Sequence, residues 1–194
     1  MDQFLFYLQL GFNHVLDIQA YDHVLFFAAL VVPYLFKDWK RVLLLVTLFT
    51  IGHTLTLILA VYNFINVNGA YVEFLIPITI FITALYNVFT AGKSVSSNKI
   101  NLVVFTSLFF GLIHGLGFSR YFKQIVAGDS AKLVKSLEFA LGVEAAQIIV
   151  AFAILLLGVL VQTIFRFNRR DWVMVLSSII IGMVIPMLIN TYPF

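Results

Sequence analysis

The chain has 194 residues, of which 62% are hydrophobic and 11% charged. A soluble domain carries about 25% charged residues, so an ordinary globular fold is excluded and an all-α, polytopic transmembrane bundle is implied. The net charge of +3 is too small and dispersed for a nucleic-acid partner, and the lack of cysteine excludes disulfides, thiolate metal sites and thiol nucleophiles.

Uncharged runs approaching 20 residues, about the length that crosses a bilayer, mark the elements. A first apolar segment covers 3–18 and either crosses the membrane or dips into it. Six spans follow, at 22–36, 42–62, 72–91, 100–118, 137–165 and 172–190. Together they make one transmembrane domain over 1–194, a bundle of six to seven helices in contact with membrane lipid. No basic region precedes the first apolar segment, so no cleaved targeting peptide is expected. No nucleotide-binding motif is present, and ATP hydrolysis by this chain is not expected. Assembly into a homo-oligomer is left open.

Basic residues orient the bundle. Lys37, Lys40 and Arg41 follow the span at 22–36, Lys93 and Lys99 follow the one at 72–91, and Arg166, Arg169 and Arg170 follow the one at 137–165. These loops share one side, which the positive-inside rule makes cytoplasmic. Arg120, Lys123, Lys132 and Lys135 dissent, and an amphipathic excursion between 118 and 137 is the expected explanation. The expected location is the inner (cytoplasmic) membrane of a bacterium.

Against this apolar background the ionisable residues stand out. An ionisable side chain in hydrocarbon is costly, and its default reading is functional. His14, Asp22, His23, His53, His114 and Glu144 fall within the apolar segments, and Glu73 opens one of them. At a rise of about 1.5 Å per residue, His53 lies roughly 17 Å and His114 roughly 21 Å from the cytoplasmic starts of their spans. Glu144 is about two turns into its span from the other side. The set is therefore expected in the outer half of the membrane. Imidazole with carboxylate is ligand chemistry for a divalent transition metal: nickel, cobalt or zinc.

Polar stripes at helical spacing accompany these residues and should face inward, giving a polar lumen. They are Thr47, Thr50, His53 and Thr54; Thr79, Thr83, Asn87 and Thr90; Ser107, Gly111, His114 and Gly115; and Ala140, Glu144, Gln147, Ala151 and Gly158. Gly111 and Gly115 permit close helix approach. Gln147 and Glu73 read as supporting groups behind the ligands. Pro77 would free the carbonyl of Glu73 if its helix starts early enough, offering one more oxygen. On one continuous helix His14 and His23 would be about 900° of turn apart and face opposite ways, so the chain must break near 18–21 for both to bind one ion. Structural roles compete with ligation: Asp22 as a helix cap, and His53 as a neutral ring bonded to threonines between helices.

The residues also carry a family resemblance. Gly11-Phe-Asn-His14 with Tyr21-Asp22-His23-Val-Leu-Phe26, Gly52-His53-Thr-Leu-Thr56, Val72-Glu73-Phe-Leu-Ile76, Phe110-Gly-Leu-Ile-His114-Gly-Leu-Gly-Phe118 and Leu141-Gly-Val-Glu144-Ala-Ala-Gln147 resemble the HupE/UreJ family. That resemblance implies a nickel/cobalt permease, with His14, Asp22 and His23 as the metal-binding triad. The family's compact His-Pro-x-x-Gly-x-Asp-His is two residues longer here and lacks its Pro and Gly, as in a divergent branch. The alternative is an intramembrane zinc-dependent hydrolase acting on a lipid or membrane peptide, with Glu144 as general base.

Overall fold

A computed structural model describes residues 2–92 and 97–193, with side chains from 3–92 and 103–193. It consists of helices α1 (Asp2–Val15), α2 (Asp22–Val31), α3 (Trp39–Val61), α4 (Gly69–Thr90), α5 (Ser97–Ile125), α6 (Lys132–Ile164) and α7 (Arg169–Asn190), with a 3-10 turn at Phe36–Asp38. Five of them, from α3 to α7, are long and apolar enough to cross a membrane. The protein is thus an all-helical integral membrane protein. Lys93 lies outside the described residues, as does the side chain of Lys99.

The expected span at 22–36 is a half-length helix instead. α2 has ten residues, and Pro33 stops it because proline has no amide proton for the carbonyl four residues back. That carbonyl, on Ala29, accepts from Asn87 Nδ2 at 2.6 Å. Asn87 therefore completes a broken helix end. The carbonyl of Pro33 itself accepts from the Arg169 guanidinium.

α1 and α2 are two half-length helices in series, about 21 Å and about 15 Å long at the standard helical rise. Tyr7 packs edge-on against Phe122, and Lys135 Nζ lies 5.2 Å from the Tyr7 ring centre, where α5 ends and α6 begins. Further along, His14 packs against Phe118 and Phe139. α2 then continues inward, with Phe26 and Phe27 on Phe49, and Val32 buried with Trp172 near the basic end. Residues 16–20, which join the two halves, are exposed. The first segment thus goes about halfway through the bundle. His14, Asp22 and His23 consequently sit at the break between the two half-helices.

Glycines set two of the helix contacts. A Cβ on Gly111 or Gly115 would fall on the carbonyls of Phe49 and His53, so α5 lies directly on α3. A Cβ on Gly11 or Gly142 would fall on the carbonyls of Phe139 and Leu8, which seats α1 on α6. Hydroxyls reinforce the first contact: Ser107 donates to the Leu45 carbonyl at 2.7 Å and Thr56 to that of Leu112 at 2.9 Å. Part of the inward-facing stripes on α3, α5 and α6 is thus used in helix-to-helix bonds, whereas Thr83, Asn87 and Thr90 of α4 line a cavity.

The dissenting basic residues have a simpler origin than an amphipathic excursion. α5 runs on to Ile125 and α6 starts at Lys132, so these side chains ride on the adjoining ends of two helices. Lys123 bonds to Asn63, and Lys135 pairs with Asp129.

Candidate metal centre

Four imidazoles from four helices meet at the break. His14 ends α1, His23 opens α2, His53 comes from α3 and His114 from α5. Ring centres are 4.6 Å apart for His14 and His23, 5.2 Å for His23 and His114, 5.9 Å for His23 and His53, and 6.0 Å for His14 and His53. His23, His53 and His114 are buried, whereas His14 and Asp22 are only partly covered. Phe26, Phe49, Phe118 and Phe139 wall the cluster, so the polar atoms face an apolar surround.

Hydrogen bonds fix two of the rings. His23 Nδ1 lies 3.0 Å from Asp22 Oδ1, and a carboxylate can only accept, so Nδ1 carries the proton and Nε2 keeps its lone pair. Thr79 Oγ1 donates to the Ile76 carbonyl at 2.7 Å and lies 3.2 Å from His114 Nε2. Its own proton is already used, so Thr79 accepts from His114 Nε2–H, and Nδ1 of His114 keeps the lone pair. The two lone-pair nitrogens deduced in this way, His23 Nε2 and His114 Nδ1, are buried without a partner among the described residues. His14 Nε2 and both nitrogens of His53 are in the same condition. A buried polar atom without a partner costs about 1–3 kcal/mol, and with one lone pair from each neutral ring the four imidazoles suit a group that accepts electron pairs.

A cation meets that requirement. His14, His23 and His53 bring one ligand atom each within 4.8 Å of one another, and so do Asp22, His23 and His114. The break at 16–21, required if His14 and His23 were to meet, is what allows the first of these groups.

The remaining candidates stand elsewhere. Glu144 Oε1 accepts from Thr47 at 2.6 Å, about one and a half turns of α3 nearer the basic end than His53, and Glu144 is in neither group. Gln147 is buried beside it, its Oε1 accepting from Thr50 at 2.8 Å. Glu73 is exposed on α4 and in neither group; α4 begins early enough for Pro77 to free its carbonyl, but its side chain faces away from the bundle core. Thr79 is the one contributor whose role the residue pattern missed: it stood in a stripe, but nothing in the spacing tied it to His114.

On the basic side a cavity of about 330 Å³ lies between α2, α4, α5 and α7, lined by Thr83, Asn87, Thr90, Thr106 and Arg169 among mostly apolar residues. Thr83 sits one turn from Thr79, to whose carbonyl it donates at 2.8 Å.

No curated protein and no solved structure matches the chain. A family model does: one described as HupE / UreJ protein covers residues 1–191, and the protein belongs to that family.

Proposed function

We propose that the protein is a permease for a divalent transition-metal ion, nickel or cobalt, in the inner membrane of a bacterium. His14, His23, His53, His114 and Asp22 bind the ion in transit. The observation that carries this reading is the convergence of partnerless imidazole nitrogens beside one carboxylate, at the gap of a broken membrane helix. Discontinuous helices that meet at mid-membrane are a recurring device of secondary transporters. Family membership supports the same direction. Glu144 contributes negative charge from a distance rather than a ligand atom, because its carboxylate is turned to Thr47.

The zinc-hydrolase alternative uses the same histidines, since three protein ligands and one open position make a catalytic zinc site. It needs a general base within hydrogen-bond reach of the metal-bound water. Glu144, the expected base, is not grouped with the histidines, and Asp22, which is, already accepts from His23 Nδ1–H. The permease reading is therefore preferred.

Uptake by purified protein in liposomes holding a nickel-sensitive dye tests it. Wild type should admit Ni²⁺. Asp22→Asn should lower Ni²⁺ affinity about 10–100-fold, as loss of a carboxylate that orients or joins a histidine does. Wild-type uptake no faster than protein-free liposomes, together with release of a lipid or peptide product by the zinc-loaded protein, would replace the permease with the hydrolase.

A further inference from the structure

The ligand atoms at the break do not form a single set. His14, His23 and His53 make one group and Asp22, His23 and His114 another, with His23 common to both. Bonds of about 2.0–2.2 Å to a divalent transition ion put tetrahedral donor atoms roughly 3.3–3.6 Å apart, so the first group closes on an ion with small ring movements and the second once Asp22 turns from His23 Nδ1–H to the ion. His14 and His114 share neither group.

The groups also differ in depth and charge. His14 lies toward the outer end, its ring centre 4.0 Å from that of Phe118. His114 lies toward the basic end, against Phe26 and Phe49 and bonded to Thr79. The outer group is all imidazole, whereas the inner one holds Asp22, the single carboxylate in either. Two doubly charged ions a few ångströms apart, with Asp22 as the one carboxylate beside them and Glu144 farther off, would repel strongly in that low dielectric.

We propose that the centre is two overlapping positions for one metal ion, an outer one on His14, His23 and His53 and an inner one on Asp22, His23 and His114, with His23 passing the ion between them. This rests on the permease reading above and gives it a direction. An ion entering from outside meets neutral ligands first and moves to the position that carries negative charge. The inner position adjoins Thr79 and, one turn on, Thr83 at the wall of the cavity on the basic side.

Co²⁺ is the probe, because its visible spectrum reports the number and kind of its ligands. Purified full-length wild type should bind one Co²⁺ per chain at saturation. His14→Ala and His114→Ala should each still bind one Co²⁺, with spectra that differ from each other, and each should lose at least tenfold in Co²⁺ uptake into liposomes. His23→Ala should bind none. His14→Gln and His114→Gln repeat the measurement should an alanine variant not be monodisperse. Two Co²⁺ per wild-type chain, or loss of binding in both the His14 and His114 variants, would overturn the two-position arrangement and leave a metal permease standing. Wild-type protein that binds no Co²⁺ would overturn the metal reading itself, and this proposal with it.

Discussion

The hydroxyl of Thr79 decides which nitrogen His114 offers, because its own proton is spent on the Ile76 carbonyl. Thr79→Val keeps the shape and removes the acceptor. The His114 ring is then free to carry its proton on either nitrogen, so Ni²⁺ affinity should fall about 10–100-fold, with some loss of melting temperature from the buried N–H left without an acceptor. Thr79→Ser should restore most of the affinity. Equal Ni²⁺ affinity in Thr79→Val and wild type, measured by calorimetry, would mean that something else orients the ring. The histidines and Asp22 were legible in the sequence because ionisable groups are conspicuous in apolar runs. Thr79 was not, since a membrane threonine commonly bonds its own helix, as Thr83 and Thr90 do here. Glu144 was grouped with the histidines because sequence gives the approximate depth of a residue but not the neighbour its side chain turns to. The same limit applies to Glu73.

At the level of helices, close approach through glycine holds the ligands in place. Gly115 lets the backbone of α5 touch the carbonyl of His53, so His53 and His114 keep their spacing only while that contact holds. Gly115→Ala should push the helices apart, cost about 1–3 kcal/mol of stability as overpacking does, and weaken metal binding with it. Gly182→Ala is the control, because a Cβ there meets nothing within 4 Å. Thermal melting and Ni²⁺ titration of the two variants side by side settle the matter, and a Gly115→Ala protein as stable and as tightly binding as the control would contradict it. The spacing of Gly111 and Gly115 announced this contact. The contact of Gly11 with α6 and of Gly142 with α1 gave no such sign, since each is a lone glycine whose partner helix is distant in the sequence. The break between α1 and α2 was readable by geometry, although no glycine or proline marks it. The shortness of α2 was not: Pro33 stood in the expected span, but only the tertiary bond from Asn87 makes an end there tolerable in a membrane.

For the molecule as a whole, the basic loops provide the frame. At one end Arg169, which opens α7, bonds to Pro33 just before the 3-10 turn at Phe36–Asp38, and Phe36 of that turn packs on Phe152 of α6. The absence of native cysteine makes labelling clean. Cysteines replacing Lys37 and Arg166 should resist an impermeant maleimide in intact cells, whereas one replacing Asn63 should react. Ready labelling at the first two sites with protection at the third would invert the protein and reverse the direction given to the ion. Composition and the bias of Lys and Arg give this frame as an expectation. They could not show that the first crossing is made of two halves, because hydropathy does not register a gap that tertiary contacts hold open. That gap has an electrostatic consequence. It brings the carbonyl end of α1 and the amide end of α2 to the same place, and such ends carry partial charges of about half an elementary unit, negative and positive respectively. Asp22 sits in the first turn of α2, where it is stabilised by the amide end and cancels that end's repulsion of a cation. What remains is the carbonyl end of α1, so the backbone attracts a cation to the centre before any imidazole touches it.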